Sequence, residues 1–356
     1  MSDELKKSEI LFLYETTYNI PNGDPFTGEQ RYDEETKKIL VSDVRMKRFV
    51  RDYLISKEGV NIYLQQKTDN NNEQEESTSE GETDSENKKA SGSARRIDEL
   101  IDLFKTDIEN VKKQADNGDG DNNNNSKKKK TKSTFNEALF VMKKCIDVRI
   151  FGGISTKKNN TVQLTGPVQF ALLNNSLNSV DLRPHQNTSC FESKQGNKQG
   201  AIGTTTLVPY SLIQIHGWVN PKIAETTEMI SDDLKLMYEG LWYGTSGDGS
   251  SHSRSKIGQN SVLLLEIVYN KPNQKIYGVD RLISIKPKEE GKKSEQFRSM
   301  DDYDFNFDKL IEIAGTDKVA KIKYYTELQS IKDKLSGEKF ELINLCEEKS
   351  DDKKIG

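Results

Sequence analysis

The sequence predicts an α+β fold of ferredoxin-like type, a sheet carrying helices on one face, interrupted by one long polar insertion. Two observations predict it. Outside residues 66–133 the hydrophobic pattern runs strand, helix, strand, strand, helix, strand. The composition, 33% hydrophobic with a mean hydropathy of -0.80, is too polar for 356 uniformly packed residues, so an ordinary core must be diluted by polar segments. The length suits one elaborated domain or two.

Ile10 to Tyr18 reads as the first strand. Ser42 then caps a helix running to about Ser56, in which Met46, Phe49, Val50, Tyr53 and Leu54 form one apolar stripe. Residues 66–133 follow, with asparagine, acidic and lysine tracts that hold too little apolar surface to offset ordering entropy. Between those tracts Ile97, Leu100, Ile101, Phe104, Ile108 and Val111 recur at helical spacing behind Ser93, which predicts one amphipathic helix.

Phe135 to Lys144 predicts a further helix, and the alternation across 146–151 predicts a half-buried strand. Strands at 162–165 and 168–173 are separated by Gly166-Pro167. Residues 174–204 are polar without periodicity and read as a protruding loop before a strand from Leu207 to Val219. Ile230, Leu234, Met237 and Leu241 mark a helix from Glu225 to about Tyr243, and a Gly/Ser loop over 244–260 leads into a strand from Val262 to Tyr269. The expected organisation is a core of 1–65 and 134–270, the insertion 66–133, the loop 174–204 and a helix-rich extension over 271–356.

Net charge is -4, yet 53 residues are Lys or Arg, and a phosphate backbone responds to the local field rather than the sum. Cys145, Cys190 and Cys346 form no CxxC pair, and His185, His216 and His252 are scattered, so no metal or other cofactor is expected. The start MSDELKKSE has no apolar stretch behind it, which predicts a cytoplasmic protein with no membrane contact.

Three segments could carry chemistry. Arg48 and Arg51 point away from the first helix's apolar stripe, with Arg45 and Lys47 at its margins; such a face pairs with phosphates or is simply solvated. Arg149 and Phe151, followed by Gly152-Gly153, combine a cation, an aromatic ring and approachable backbone, as single-stranded RNA requires, although glycine pairs also just end strands. The loop from Gly244 to Lys256 offers hydroxyl and main-chain donors with Arg254 and Lys256, an anion cradle or a plain linker. For catalysis, Asn22-Gly23-Asp24 with Asp33, Glu34 and Glu35 could hold a divalent metal, but it is also ordinary turn chemistry. No nucleophilic Ser or Cys with a partner base stands out.

Asn19-Ile-Pro-Asn-Gly-Asp, then Val41-Ser-Asp-Val-Arg-Met-Lys-Arg-Phe-Val-Arg-Asp, resembles the Cas-seven backbone subunits of the CRISPR type I (Cascade) complex, closest to the subtype I-B branch. Arg149-Ile-Phe-Gly-Gly with Leu164-Thr-Gly-Pro-Val-Gln-Phe is similar to a second block of that family, and His252-Ser-Arg-Ser-Lys sits at its Gly-rich loop. The resemblance implies a modified RNA-recognition-type (RAMP) fold, with 174–204 as a thumb. It implies a subunit that is not an enzyme. Copies would stack head to tail on a guide RNA (crRNA) beside other Cascade subunits, and the guide would pair with target DNA. Asn22, Arg45, Lys47, Arg48, Arg51, Arg149, Phe151, Gly152, Gly153, Thr165, Gln169, Arg254 and Lys256 would then lie along the RNA. Type III relatives cleave target RNA through an aspartate in the loop after the first strand. Asp24 occupies that loop, so a metal-dependent endoribonuclease is the alternative, although its surroundings resemble the non-cleaving branch.

Overall fold

The computed structural model describes residues 5–65, 92–117, 135–157, 161–192, 200–247 and 256–345. Strand β1 (Ser8–Asn19) is the centre of the main sheet and is buried along most of its length. Its even residues Ile10, Phe12 and Tyr14 enter one core cluster, while Leu11 and Leu13 enter another on the opposite face. Because both faces are covered, the strand reads as a continuous apolar run rather than an alternating one.

A short hairpin of β2 (Tyr32–Asp33) and β3 (Lys38–Ser42) delivers the chain to α1 (Asp43–Ile55), whose predicted stripe Met46, Phe49, Val50, Tyr53 and Leu54 is buried. Ser42 occupies the N-cap position but makes no side-chain cap bond. The insertion contributes two helices, α2 (Gly92–Leu103) and α3 (Lys105–Asn117), where one was expected. They are not a detached tether. Ile97, Leu100 and Ile108 pack with Ala138, Val141 and Met142 of α4 (Glu137–Lys143) in a third cluster. Arg96 donates to the Ile62 carbonyl at 2.6 Å and Lys112 pairs with Glu137 at 2.6 Å, which ties the insertion to the core at both helices. The asparagine and lysine tracts expected to be mobile lie outside the described residues.

The strand expected over 146–151 is instead a short helix, α5 (Ile146–Phe151). Ile146, Asp147, Val148, Ile150 and Phe151 are all buried, and a segment enclosed on nearly every side carries no period that separates helix from strand. Gly152 ends it at φ 78, and a side chain there would lie 2.3 Å from the Leu164 carbonyl oxygen. The chain continues as β4 (Gly152–Ser155), β5 (Val162–Thr165), β6 (Val168–Phe170) and β7 (Leu173–Asn175).

The expected loop over 174–204 is largely a β-ribbon. Strand β8 (Arg183–Glu192) pairs antiparallel with the long β9 (Gly200–Val219). β1 leaves the sheet at Asn19, opposite Val208, and β8 takes over at Arg183, opposite Leu207, so the ribbon projects beyond the sheet end. Arg183 to Gln186 are all exposed, and consecutive residues wet on both faces of a strand show no hydrophobic alternation. After β9 come α6 (Pro221–Thr227), α7 (Ser231–Ser246) and β10 (Gln259–Tyr269), with the single helix expected from Glu225 divided by the left-handed Glu228.

The extension expected to be helix-rich holds β11 (Ser284–Pro287), β12 (Tyr303–Asn306), α8 (Asp308–Ala314), β13 (Val319–Tyr325), α9 (Gln329–Lys332) and β14 (Phe340–Leu342). It belongs to the core: β13 pairs with β10, and Phe297, Tyr303, Phe307 and Leu310 cover the sheet face opposite α1 and α7.

The main sheet runs β14-β13-β10-β1-β9-β6. Within it β10, β1, β9 and β6 are mutually antiparallel neighbours. Counted along the chain they stand in the order fourth, first, third, second, with α1 and α7 as the two crossovers packed together. That is the ferredoxin-like arrangement. The two helices meet almost backbone to backbone. A side chain on Gly240 would come 3.0 Å from the Val50 Cα, and one on Gly244 would come 2.5 Å from the Phe49 carbonyl oxygen.

Candidate nucleic-acid interface

At the end of the sheet where β1 stops, three elements converge: the loop 20–31, the first turns of α1 and the start of β10. Asn22 organises the meeting. Its Oδ1 accepts from the Ser42 amide at 2.6 Å, and its own amide donates to Gln30 Oε1 at 2.8 Å. Asn22 is 8% exposed, so it holds the loop on the helix start rather than presenting a polar group to solvent. Lys256 closes the other side by donating its ammonium to the Ile20 carbonyl.

Arg45 lies in this corner with its guanidinium 4.0 Å above the Phe49 ring. Its Nε and Nη2 are buried and have no hydrogen-bond partner among the described residues. Such unmade bonds cost about 1–3 kcal/mol, more for a charged group, unless a ligand completes them. Burial, and then the nearby Arg45 and Arg48, push the Lys256 ammonium down to about 8. Three cations therefore crowd one place where solvent is partly excluded. Arg48 also reaches Asp52 at 3.2 Å, one turn on, an exposed pair that adds little stability. Lys47 is shared between Asp43 at 3.0 Å and Gln169 Oε1 at 3.4 Å. Unpaired guanidinium donors beside an ammonium are groups that an oxyanion can bond to.

The second predicted block is placed differently. Arg51 bonds Asp147 at 3.0 Å, and Asp147, fully buried, also accepts from the amides of Tyr63 at 2.7 Å and Leu64 at 3.1 Å. Arg149 grips Asp233 through two bonds of 2.8 and 2.6 Å and caps the carbonyl of Lys143 at 3.1 Å. Phe151 is 6% exposed, 6.0 Å from the Phe170 ring, with Arg51 over its face. Gly152 and Gly166 let two backbones touch, and a Cβ on Gly166 would lie 2.1 Å from the Phe151 carbonyl carbon. A Cβ on Gly153 would lie 3.2 Å from the Met142 Cε, a tight contact with the end of a flexible side chain. Thr165 is exposed, and Gln169 donates to the Gly166 carbonyl at 3.0 Å. Arg254 lies outside the described residues.

Asp24 pairs with Arg31 at 3.0 Å and accepts the Phe26 amide at 2.9 Å, which is turn chemistry. Among the described residues no three His, Cys, Asp or Glu side chains converge to hold a metal. No helix among them is long and apolar enough to cross a membrane.

Over residues 6–308 the sequence matches the family of the CRISPR-associated protein Cas7. The chain belongs to the Cas7 family. A CRISPR-associated protein Cas7 of Haloferax volcanii is 25% identical over 313 residues, 86% of this chain and 82% of the relative. Among solved structures, a chain of a "CRISPR RNA-guided surveillance complex, pre-nicking" is similar at TM-score 0.45 and 14% identity, covering 77% of this chain and 83% of that one. A chain of another "CRISPR RNA-guided surveillance complex" is similar at TM-score 0.42 and 10% identity, with 90% of each chain covered.

Two residues of this Cas7-family chain escaped sequence reasoning. Tyr18 is 64% exposed at a φ of 46, and Phe26 is 98% exposed in the loop 20–31. The only sequence signal was an aromatic residue inside the turn pattern Asp24 to Gly28. The left-handed backbone at Tyr18 has no sequence signature.

Proposed function

We infer that this chain is a guide-RNA-binding backbone subunit of a CRISPR type I interference complex. Several copies lie head to tail along one guide and present its spacer for pairing with target DNA. Membership of the Cas7 family supports the assembly, and one observation carries the binding role: Arg45, with two buried donors unpaired, faces the same corner as Arg48 and Lys256.

A phosphate oxygen there would complete the Arg45 donors, and the crowded charges make the exchange of counterions for RNA favourable. Lys47 and Gln169 extend the polar track toward β6. The β8–β9 ribbon, starting where β1 ends, is suited to act as the thumb that reaches a neighbouring copy. Head-to-tail contacts are heterologous, so they build a filament until other subunits cap it. Base pairing reads the target while the protein holds backbone and shape.

Binding rather than catalysis is the role of this subunit, since the Asp24 carboxylate is engaged by Arg31 and by its own turn. Light scattering on the full chain with RNAs of increasing length should show stepwise growth in mass. The same samples held with magnesium or manganese should keep guide and paired target intact. Regularly spaced cleavage lost in Asp24→Ala would establish an endoribonuclease instead.

A further inference from the structure

The chain leaving β1 holds two large aromatic rings in water and fixes the main chain that carries each. Tyr18 interrupts the ladder without shifting it: Thr17 still pairs with Tyr210 and Asn19 with Val208, but Tyr18, opposite Pro209, is not bridged. Its φ of 46 is a true outlier for a bulky side chain, and such strain persists only where the surroundings impose it. They do so here, because the Thr17 amide donates to the Gly258 carbonyl at 3.1 Å and Asn19 Nδ2 to the Ile257 carbonyl at 2.8 Å.

Phe26 is equally constrained. Asp24 accepts the Phe26 amide at 2.9 Å, donates its own amide to the Glu29 carbonyl at 2.7 Å and accepts the Gly28 amide at 2.8 Å. The Asp24–Arg31 ion pair at 3.0 Å and the Gly23–Gln30 bridge close the base of the loop. Exposing two aromatic rings to water is unfavourable in the free chain. Between the two lies Ile20, whose carbonyl receives Lys256, so both rings sit on the segment that also builds the cationic corner. Cations for phosphates beside aromatic faces for bases is the pairing that single-stranded nucleic acid recognises. Phe151, the ring that sequence reasoning gave this task, is buried.

We propose that Tyr18 and Phe26 are a stacking platform for unpaired bases of the guide strand, set beside the Arg45–Lys256 corner that holds its phosphates. The platform rests on the guide-binding reading and adds base contact without base identity, since every base has a π-face.

The test uses the full chain and two fluorescent single-stranded RNAs of equal length, one with bases and one with abasic ribose. Anisotropy gives Kd for wild type, Phe26→Ala, Tyr18→Gly and the ring-retaining controls Phe26→Trp and Tyr18→Phe. Glycine accepts the positive φ, so Tyr18→Gly removes the ring and keeps the backbone conformation. Each ring deletion should weaken the base-bearing RNA by about 5- to 100-fold and leave the abasic RNA unchanged. The salt slope should stay that of wild type, because no phosphate contact is lost, and both controls should bind as wild type does.

Wild type failing to bind either strand would sink the guide-binding reading and the platform together. Wild-type affinity in the ring deletions, with the salt slope intact, would sink the platform alone. Equal weakening of both strands would also refute stacking. So would normal binding to one RNA with lost growth in mass, which would assign the rings to contact between copies.

Discussion

Two groups of arginine side chains in this chain have opposite fates. Near the start of α1, Arg45 has two buried donors with no partner among the described residues, beside Arg48 and Lys256. Around α5, Arg51 and Arg149 spend their guanidinium groups on Asp147 and Asp233, and Phe151 closes over a neighbouring ring. A cation whose geometry is completed inside the protein is architecture. A cation left incomplete gains from any ligand that supplies the missing acceptors. The comparison teaches that residue type proposes a site and only the accounting of partners assigns it.

The comparison breaks most decisively at Asp147. Asp147→Ala would leave Arg51 and two main-chain amides without their acceptor, and about 3–5 kcal/mol of stability should be lost in denaturant unfolding. Arg51→Ala should destabilise in the same direction, by orphaning the carboxylate. If either variant kept wild-type stability and lost RNA affinity alone, the two segments would not differ in kind.

Arg45→Ala should do the reverse. RNA affinity should fall by about 10- to 100-fold, the loss of charged hydrogen bonds, while the unfolding midpoint holds or rises as a desolvated charge disappears. A fall in stability matching that of Asp147→Ala would place Arg45 with the architectural arginines.

The next effect is a pH dependence. The free protein's Lys256 ammonium titrates at about 8, and a bound phosphate raises that value. Binding above pH 8 therefore takes up a proton, so Kd should be flat below about pH 8 and rise above it. Lys256→Arg should flatten the curve up to pH 9.5 or so, since a guanidinium stays charged there. The smallest effect is at Arg48, where Ala should weaken all RNAs alike and reduce the salt slope by about 1.

Much of the fold was legible because its elements obey a period. The stripe of α1 and the apolar runs of β9 and β10 announced themselves, and they set the ferredoxin-like order. What failed were segments without contrast between faces. Residues 146–151 are buried on nearly all sides, and Arg183 to Gln186 of β8 are all exposed, so neither stretch shows a readable alternation. The packing of the insertion was hidden for another reason. Its anchors Ile97 and Leu100 find partners some forty residues on, in α4. The site was legible only in pieces: the sequence offered Arg45 and Arg48 in one candidate segment and Lys256 in another, and the structure brings the three near one another. The ion pairs of Arg51 and Arg149 join residues 96 and 84 positions apart, which no local pattern records.

The glycines that let α7 press on α1 bear on a different scale of organisation. Where two helices touch through side chains, methyl groups and rotamers form a yielding layer. At Gly240 and Gly244 that layer is missing, and the main chains of the two helices set each other's position. A single copy hardly needs such a tolerance. In a polymer it matters, because a small tilt of α1 in each unit adds to the tilt of the unit before it. Rigid contact inside the building block is what keeps an additive error from bending the whole array out of step with the strand it follows.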